Sequence, residues 1–126
     1  MGCSLLIVED DPSQRDTLTR WFSHRGYRVV SRAHPRQALE AAKSKEFQVA
    51  LLDLSLPEMD GIALMQQLKR IQYSMQVIIL SGYEYPMSLA RSHGAFTVLT
   101  KPCGLKELEA TLECASEQIV DEELVP

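Results

Sequence analysis

Glu9 and Asp10, Asp53, Ser81 and Lys101 each close a short apolar run, following LLIV, VALL, VIIL and VLT respectively. A charge at the end of a core segment is expensive to bury unless an opposite charge awaits it. If these runs lie side by side, three carboxylates share a small volume, where they repel and cannot all stay ionised unassisted. A hard divalent cation resolves that conflict. Mg²⁺, which keeps several waters and takes a phosphate oxygen as a ligand, suits a partly open cluster of this kind. Lys101 adds a second positive charge. Such a pocket is built to receive a phosphoryl group. Asp53 is then the candidate nucleophile, forming an acyl phosphate, while Mg²⁺ and Lys101 offset charge on the transferring oxygens and Ser81 donates a hydrogen bond.

Whether the five positions meet depends on the elements that carry them. Continuous apolar runs at 5–8, 49–52 and 77–80, with weaker ones at 27–31 and 96–100, suit strands covered on both faces. Helical patterns separate them. Asp11-Pro12 reads as an N-cap followed by Pro at the first helical position, and Leu18, Trp21 and Phe22 continue that helix towards Gly26. Pro35 opens a second helix through Ala38, Leu39, Ala41 and Ala42, and Asp60 caps a third that carries Leu64, Met65, Leu68 and Ile71. A shorter fourth is expected over 86–93, and a fifth from about Gly104 with Leu105, Leu108, Leu112, Ala115 and Ile119 on one face.

Five alternating units predict an α/β fold, a doubly wound parallel five-stranded sheet with helices on both faces. In the flavodoxin-like order 2-1-3-4-5 the first and third strands are neighbours, so Glu9, Asp10 and Asp53 converge. Ligands of such sheets bind beyond the carboxyl ends of the strands, where these residues stand.

The chain has 126 residues, enough for one domain with a single substantial core. Thirteen Lys and Arg against seventeen Asp and Glu give a net charge of -4 with no basic run, which argues against direct nucleic-acid binding. The cysteines, Cys3, Cys103 and Cys114, are odd in number and show no metal-ligand spacing. They read as reduced, small buried hydrophobes of a cytoplasmic protein. No run approaches membrane-spanning length, and the N-terminus is too soon acidic for a signal peptide. Met-Gly-Cys starts a myristoylation pattern that fails at Leu6, where Ser or Thr is wanted.

The segments LLIVEDDPSQRDTL, VALLDLSLPEMDGIALMQQLK, QVIILSGY and VLTKP, in this order and spacing, resemble the receiver domain of bacterial two-component response regulators. The resemblance covers roughly residues 4–117 and sets a receiver domain at 1–117, with 118–126 the end of the last helix and an acidic, fraying tail or linker. It implies that Asp53 accepts a phosphoryl group from a phosphohistidine on a sensor histidine kinase or histidine phosphotransfer protein. It also implies Asp10 and Asp53 as metal ligands beside Glu9, with the backbone carbonyl of Ser55 completing the protein's set. Ser81 becomes the switch hydroxyl, Lys101 the lysine that pairs with the phosphoryl group, and Lys101-Pro102 a cis peptide. The output is an effector domain or downstream protein, or a homodimer formed through the fourth helix, fifth strand and fifth helix.

Two positions depart from that pattern. Val98 stands where receivers usually carry an inward-turning Tyr or Phe, so an aromatic swing cannot be the readout here. Cys103 follows Lys-Pro in place of a common Phe. Val98 leaves open a receiver that acts without phosphate. A Mg²⁺-dependent aspartyl phosphatase is the alternative from the enzyme class, although such enzymes commonly carry a second aspartate where this chain has Ser55.

Plainer roles stand beside these. Asp11 reads as a helix cap, Ser81 before Gly82 can simply start a turn, and Trp21 reads as structural. His24, His34 and His93 share no metal spacing and default to the surface. Tyr83, Tyr85 and Met87 are either a partner surface or ordinary packing.

Overall fold

The computed structural model describes residues 3–124, with side chains through Glu117. Five strands, β1 (Ser4–Val8), β2 (Arg28–Arg32), β3 (Val49–Asp53), β4 (Gln76–Ser81) and β5 (Thr97–Thr100), alternate with five helices. These are α1 (Pro12–His24), α2 (Pro35–Ser44), α3 (Gly61–Ile71), α4 (Met87–Ser92) and α5 (Leu105–Leu124). The sheet is parallel throughout, in the order β2-β1-β3-β4-β5. This is the flavodoxin-like winding expected.

Alternation along the strands splits the core in two. Leu6, Val8, Ala50, Leu52, Val77 and Ile79 face one side, covered by Ala38 and Ala42 of α2, Leu64, Met65 and Leu68 of α3, and Ala90 of α4. Leu5, Ile7, Val49, Leu51, Ile78 and Leu80 face the other, covered by Leu18 and Phe22 of α1 and by Leu108, Leu112 and Ala115 of α5. Burial on both faces is why β1, β3 and β4 read as unbroken apolar runs.

Local chemistry fixes the helix starts. The Asp11 carboxylate accepts from the Gln14 amide at 2.8 Å with Pro12 at the first helical position, and Asp60 accepts from the Ala63 amide at 2.8 Å. His34 is more than a surface histidine. Its Nδ1 accepts from the Arg36 amide at 3.3 Å to cap α2, and its Nε2 lies 3.4 Å from Glu58.

Several boundaries differ from expectation. β2 begins one residue late, because Tyr27 still belongs to the turn: its amide bonds to the Phe22 carbonyl and its ring meets Phe22 edge-on at 5.2 Å. β5 likewise starts at Thr97 rather than Phe96. α5 runs through Leu124, within the 118–126 stretch expected to hold the end of the last helix, and Ile119 lies beyond the described side chains. The cysteines are free but are not buried hydrophobes. Cys3 and Cys103 are half-buried and Cys114 is exposed, since on α5 it is Leu112 and Ala115 that turn to the sheet.

One glycine is required by close approach. A Cβ on Gly61 would stand 2.5 Å from the Asp53 carbonyl oxygen and 3.0 Å from the Leu54 Cα, and the Gly61 amide closes the β3–α3 loop onto the Leu54 carbonyl at 2.8 Å. The obstacle is backbone, which cannot step aside cheaply. Gly61→Ala is expected to cost roughly 1–3 kcal/mol, as overpacking does, read as a lowered thermal unfolding midpoint.

Candidate functional site

The four strand ends deliver their polar residues to one edge. Glu9 is 2% exposed, Asp53 7% and Ser81 0%, while Asp10 is exposed. Ligand atoms of Glu9, Asp10 and Asp53 lie within 4.8 Å of one another. Neighbouring β1 and β3 make this possible, with Val8 opposite Leu52 one residue before each acid.

Lys101 reaches over this cluster. Its ammonium lies 3.1 Å from Glu9 Oε1, 3.4 Å from Asp53 Oδ2 and 3.0 Å from Gln14 Oε1. Glu9 Oε2 accepts from the Asp11 amide at 3.1 Å, so both of its oxygens are engaged. Burial pushes the Glu9 carboxyl above its ordinary range, against the lowering pull of the Asp11 amide and Lys101; the Asp53 charge adds to the rise. For Lys101, burial works downward, but the hydrogen bond and charge of Glu9 and the charge of Asp53 outweigh it and hold the ammonium above the usual lysine value. The cluster and its lysine therefore stabilise each other.

Asp10 has no Lys, Arg or His within salt-bridge distance among the described residues, unlike Glu9 and Asp53. The donor set is all oxygen, partly open, and carries more negative charge than Lys101 can balance, which fits a hard divalent cation. The Ser55 amide donates to Asp53 Oδ1 at 3.3 Å, bringing the Ser55 backbone beside the carboxylate.

Ser81 shares the edge, but its hydroxyl is engaged elsewhere. It donates to the Tyr83 carbonyl and accepts from the Tyr83 amide at 3.2 Å, a turn-like bond to its own loop. Lys101-Pro102 is cis, and the Lys101 amide bonds to the Ser81 carbonyl at 2.7 Å, tying the ends of β4 and β5 together. Val98 is buried opposite Ile79, so core aliphatic packing fills the place of the expected aromatic.

Two contributors escaped the sequence reading. Arg15 Nη1 donates to the Glu9 carbonyl at 2.9 Å and the Asp10 carbonyl at 3.4 Å, which pins the loop bearing the acidic pair. Gln14 bonds Lys101. Both sit in the first turn of α1, and the Asp11 cap was the only signal that this turn begins at the site.

Cys103, beside Lys101, carries a thiol pushed up to about 11 by burial and by the charge and hydrogen bond of Glu107. It is a thiol, not a thiolate, at neutral pH. With Cys3 and Cys114 replaced by Ser, iodoacetamide alkylation of Cys103 is expected to be slow near neutrality and to keep accelerating until the pH reaches about 11, since the thiolate is the nucleophile.

A parallel sheet wound in this order, with a lysine and an acidic cluster that could hold a metal at its carboxyl edge, defines a flavodoxin-like fold with a candidate site where such sheets bind ligands. A family model described as the response regulator receiver domain matches residues 5–113, and the chain belongs to that family. It is 41% identical to the transcriptional activator protein PfeR of Pseudomonas aeruginosa, over 84% of this chain and 35% of that protein. It is 33% identical to sporulation initiation phosphotransferase F of Bacillus subtilis, over 86% of this chain and 89% of that one. The crystal structure of a CheY-like response regulator receiver domain protein from Methanospirillum hungatei superposes with a TM-score of 0.90 at 25% identity, covering 97% of this chain and 99% of that one. The chain thus spans about a third of PfeR and most of the phosphotransferase.

Proposed function

We propose that Asp53 is the phosphoacceptor of a response regulator receiver and that its phosphorylation switches the protein's contacts with an output partner. The observation that carries this is the convergence of Glu9, Asp10 and Asp53 within 4.8 Å under the Lys101 ammonium. In the transfer from a phosphohistidine, an Asp53 carboxylate oxygen attacks phosphorus and the N–P bond breaks. Its electron pair returns to the imidazole ring, and the new O–P bond is an acyl phosphate. Glu9, Asp10, Asp53 and the Ser55 carbonyl would hold Mg²⁺, which supplies charge neutralisation at the phosphoryl oxygens. Lys101 orients the group and offsets its charge, and Ser81, released from Tyr83, donates to a phosphoryl oxygen.

The donor is a sensor histidine kinase or a histidine phosphotransfer protein in the cytoplasm. The output surface is the face of α4, β5 and α5, used for an effector domain, a downstream protein or a second copy. Support comes from exposed apolar side chains on α4 and the loop before it: Met87 and Leu89 are 43% and 44% exposed and Tyr83 57%. Tyr85 instead packs partly against the core that includes Val98. With no aromatic at Val98, the Ser81–Tyr83 connection carries the signal to this loop.

The protein acts as a switch with slow self-catalysed chemistry rather than as a turnover enzyme. Incubation with Mg²⁺ and a small phosphodonor is expected to add one labile phosphoryl group per chain and then stop. Sustained release of phosphate from phosphate esters would instead support the aspartyl phosphatase. Partner binding unaltered by phosphorylation or by beryllofluoride would support the phosphate-independent module.

A further inference from the structure

An ammonium has three N–H donors and no acceptor. In Lys101 they face Glu9 Oε1 at 3.1 Å, Asp53 Oδ2 at 3.4 Å and Gln14 Oε1 at 3.0 Å, the first and last as hydrogen bonds and the second as an ion pair. The first two partners are buried carboxylates from the sheet edge, and the third is an exposed, uncharged residue of α1. The Gln14 backbone is well fixed: its main-chain N–H is held by the Asp11 cap, and the next residue, Arg15, is anchored on the Glu9 and Asp10 carbonyls.

We infer that Gln14 is a positioning residue for the phosphoryl reaction, acting through Lys101: its side-chain carbonyl fixes the ammonium over the acidic cluster while leaving the lysine's charge undiminished. The inference rests on the phosphoacceptor reading above. Carboxylates alone would hold the lysine equally well but would add negative charge where an anionic donor must approach. A neutral acceptor orients the ammonium without that penalty. When Asp53 becomes an acyl phosphate its pairing with Lys101 changes, and Gln14 keeps the ammonium directed across the site as the new oxygens arrive. A charged donor strengthens such a bond, whereas the exposure of Gln14 weakens it, so the expected effect is moderate.

The test compares wild type with Gln14→Met, which keeps the side-chain length and removes the acceptor, with Gln14→Glu, which keeps an acceptor, and with Lys101→Met alone and combined with Gln14→Met. Two quantities are read: the rate of phosphoryl uptake from phosphoramidate with saturating Mg²⁺, and the hydrogen-exchange rate of the Lys101 ammonium by NMR in the unphosphorylated protein. Gln14→Met is expected to slow uptake about 3–10-fold and to speed ammonium exchange, with no effect on uptake in the Lys101→Met background. Gln14→Glu is expected to restore slow exchange yet not full uptake, because of its added charge.

Equal slowing by Gln14→Met with and without Lys101, wild-type uptake and exchange in Gln14→Met, or fast exchange in Gln14→Glu would each overturn the inference. A wild-type chain that takes up no phosphoryl group would overturn the phosphoacceptor reading instead. The ammonium exchange rate would then still decide whether Gln14 holds Lys101.

Discussion

Asp53→Asn is expected to lower phosphoryl uptake by about a thousandfold or more, some 4 kcal/mol of barrier, because a carboxamide offers no anionic oxygen to attack phosphorus. The variant should nonetheless fold. Asp53 is 7% exposed and adjoins two other carboxylates, and its charge is one of the influences that raise the Glu9 carboxyl. Removing that charge relieves repulsion but also removes one partner of Lys101. The two effects oppose, so thermal unfolding without Mg²⁺ should change little. Uptake measured by intact mass and stability measured by calorimetry on the same sample separate lost chemistry from lost structure.

Lys101→Met, unlike Asp53→Asn, is expected to lower stability. Glu9 and Asp53 would be left buried without their cation, and breaking a buried pair by deleting one partner costs about 3–5 kcal/mol. The Lys101 side chain is 24% exposed, which points to the lower end of that range. A divalent cation can replace the missing charge, so saturating Mg²⁺ should raise the unfolding midpoint of Lys101→Met more than that of wild type. Equal Mg²⁺ responses would mean that Lys101 is not the counter-cation of the cluster. Uptake at saturating Mg²⁺ should also fall, since the transferring oxygens lose a stabilising charge.

The strong parts of the fold were legible because their physics is local. β1, β3 and β4 are buried on both faces and read as unbroken apolar runs, and Asp11 and Asp60 cap the helices as their positions suggested. The edge strands were less legible. β2 has exposed ends and β5 is only four residues long, so neither carries a pattern strong enough to fix its start.

The charged residues of the site were found because charge at the end of an apolar run needs a partner. Gln14 was not found, since an uncharged residue on an exposed helix turn leaves no such trace and only the fold brings Lys101 to it. The capping role of His34 was hidden for the same reason, since it depends on where one ring nitrogen points; for Ser81 the following Gly82 announced a turn, but not that the hydroxyl bonds both the amide and the carbonyl of Tyr83.

The most direct measurement is the location of the phosphoryl group. Wild-type protein labelled with a small phosphodonor in the presence of Mg²⁺, reduced with borohydride to trap the acyl phosphate and mapped by mass spectrometry, should carry a single modification on Asp53, and none when Mg²⁺ is chelated. A modification on a residue other than Asp53, or none in the presence of Mg²⁺, would contradict the assignment of Asp53 as phosphoacceptor.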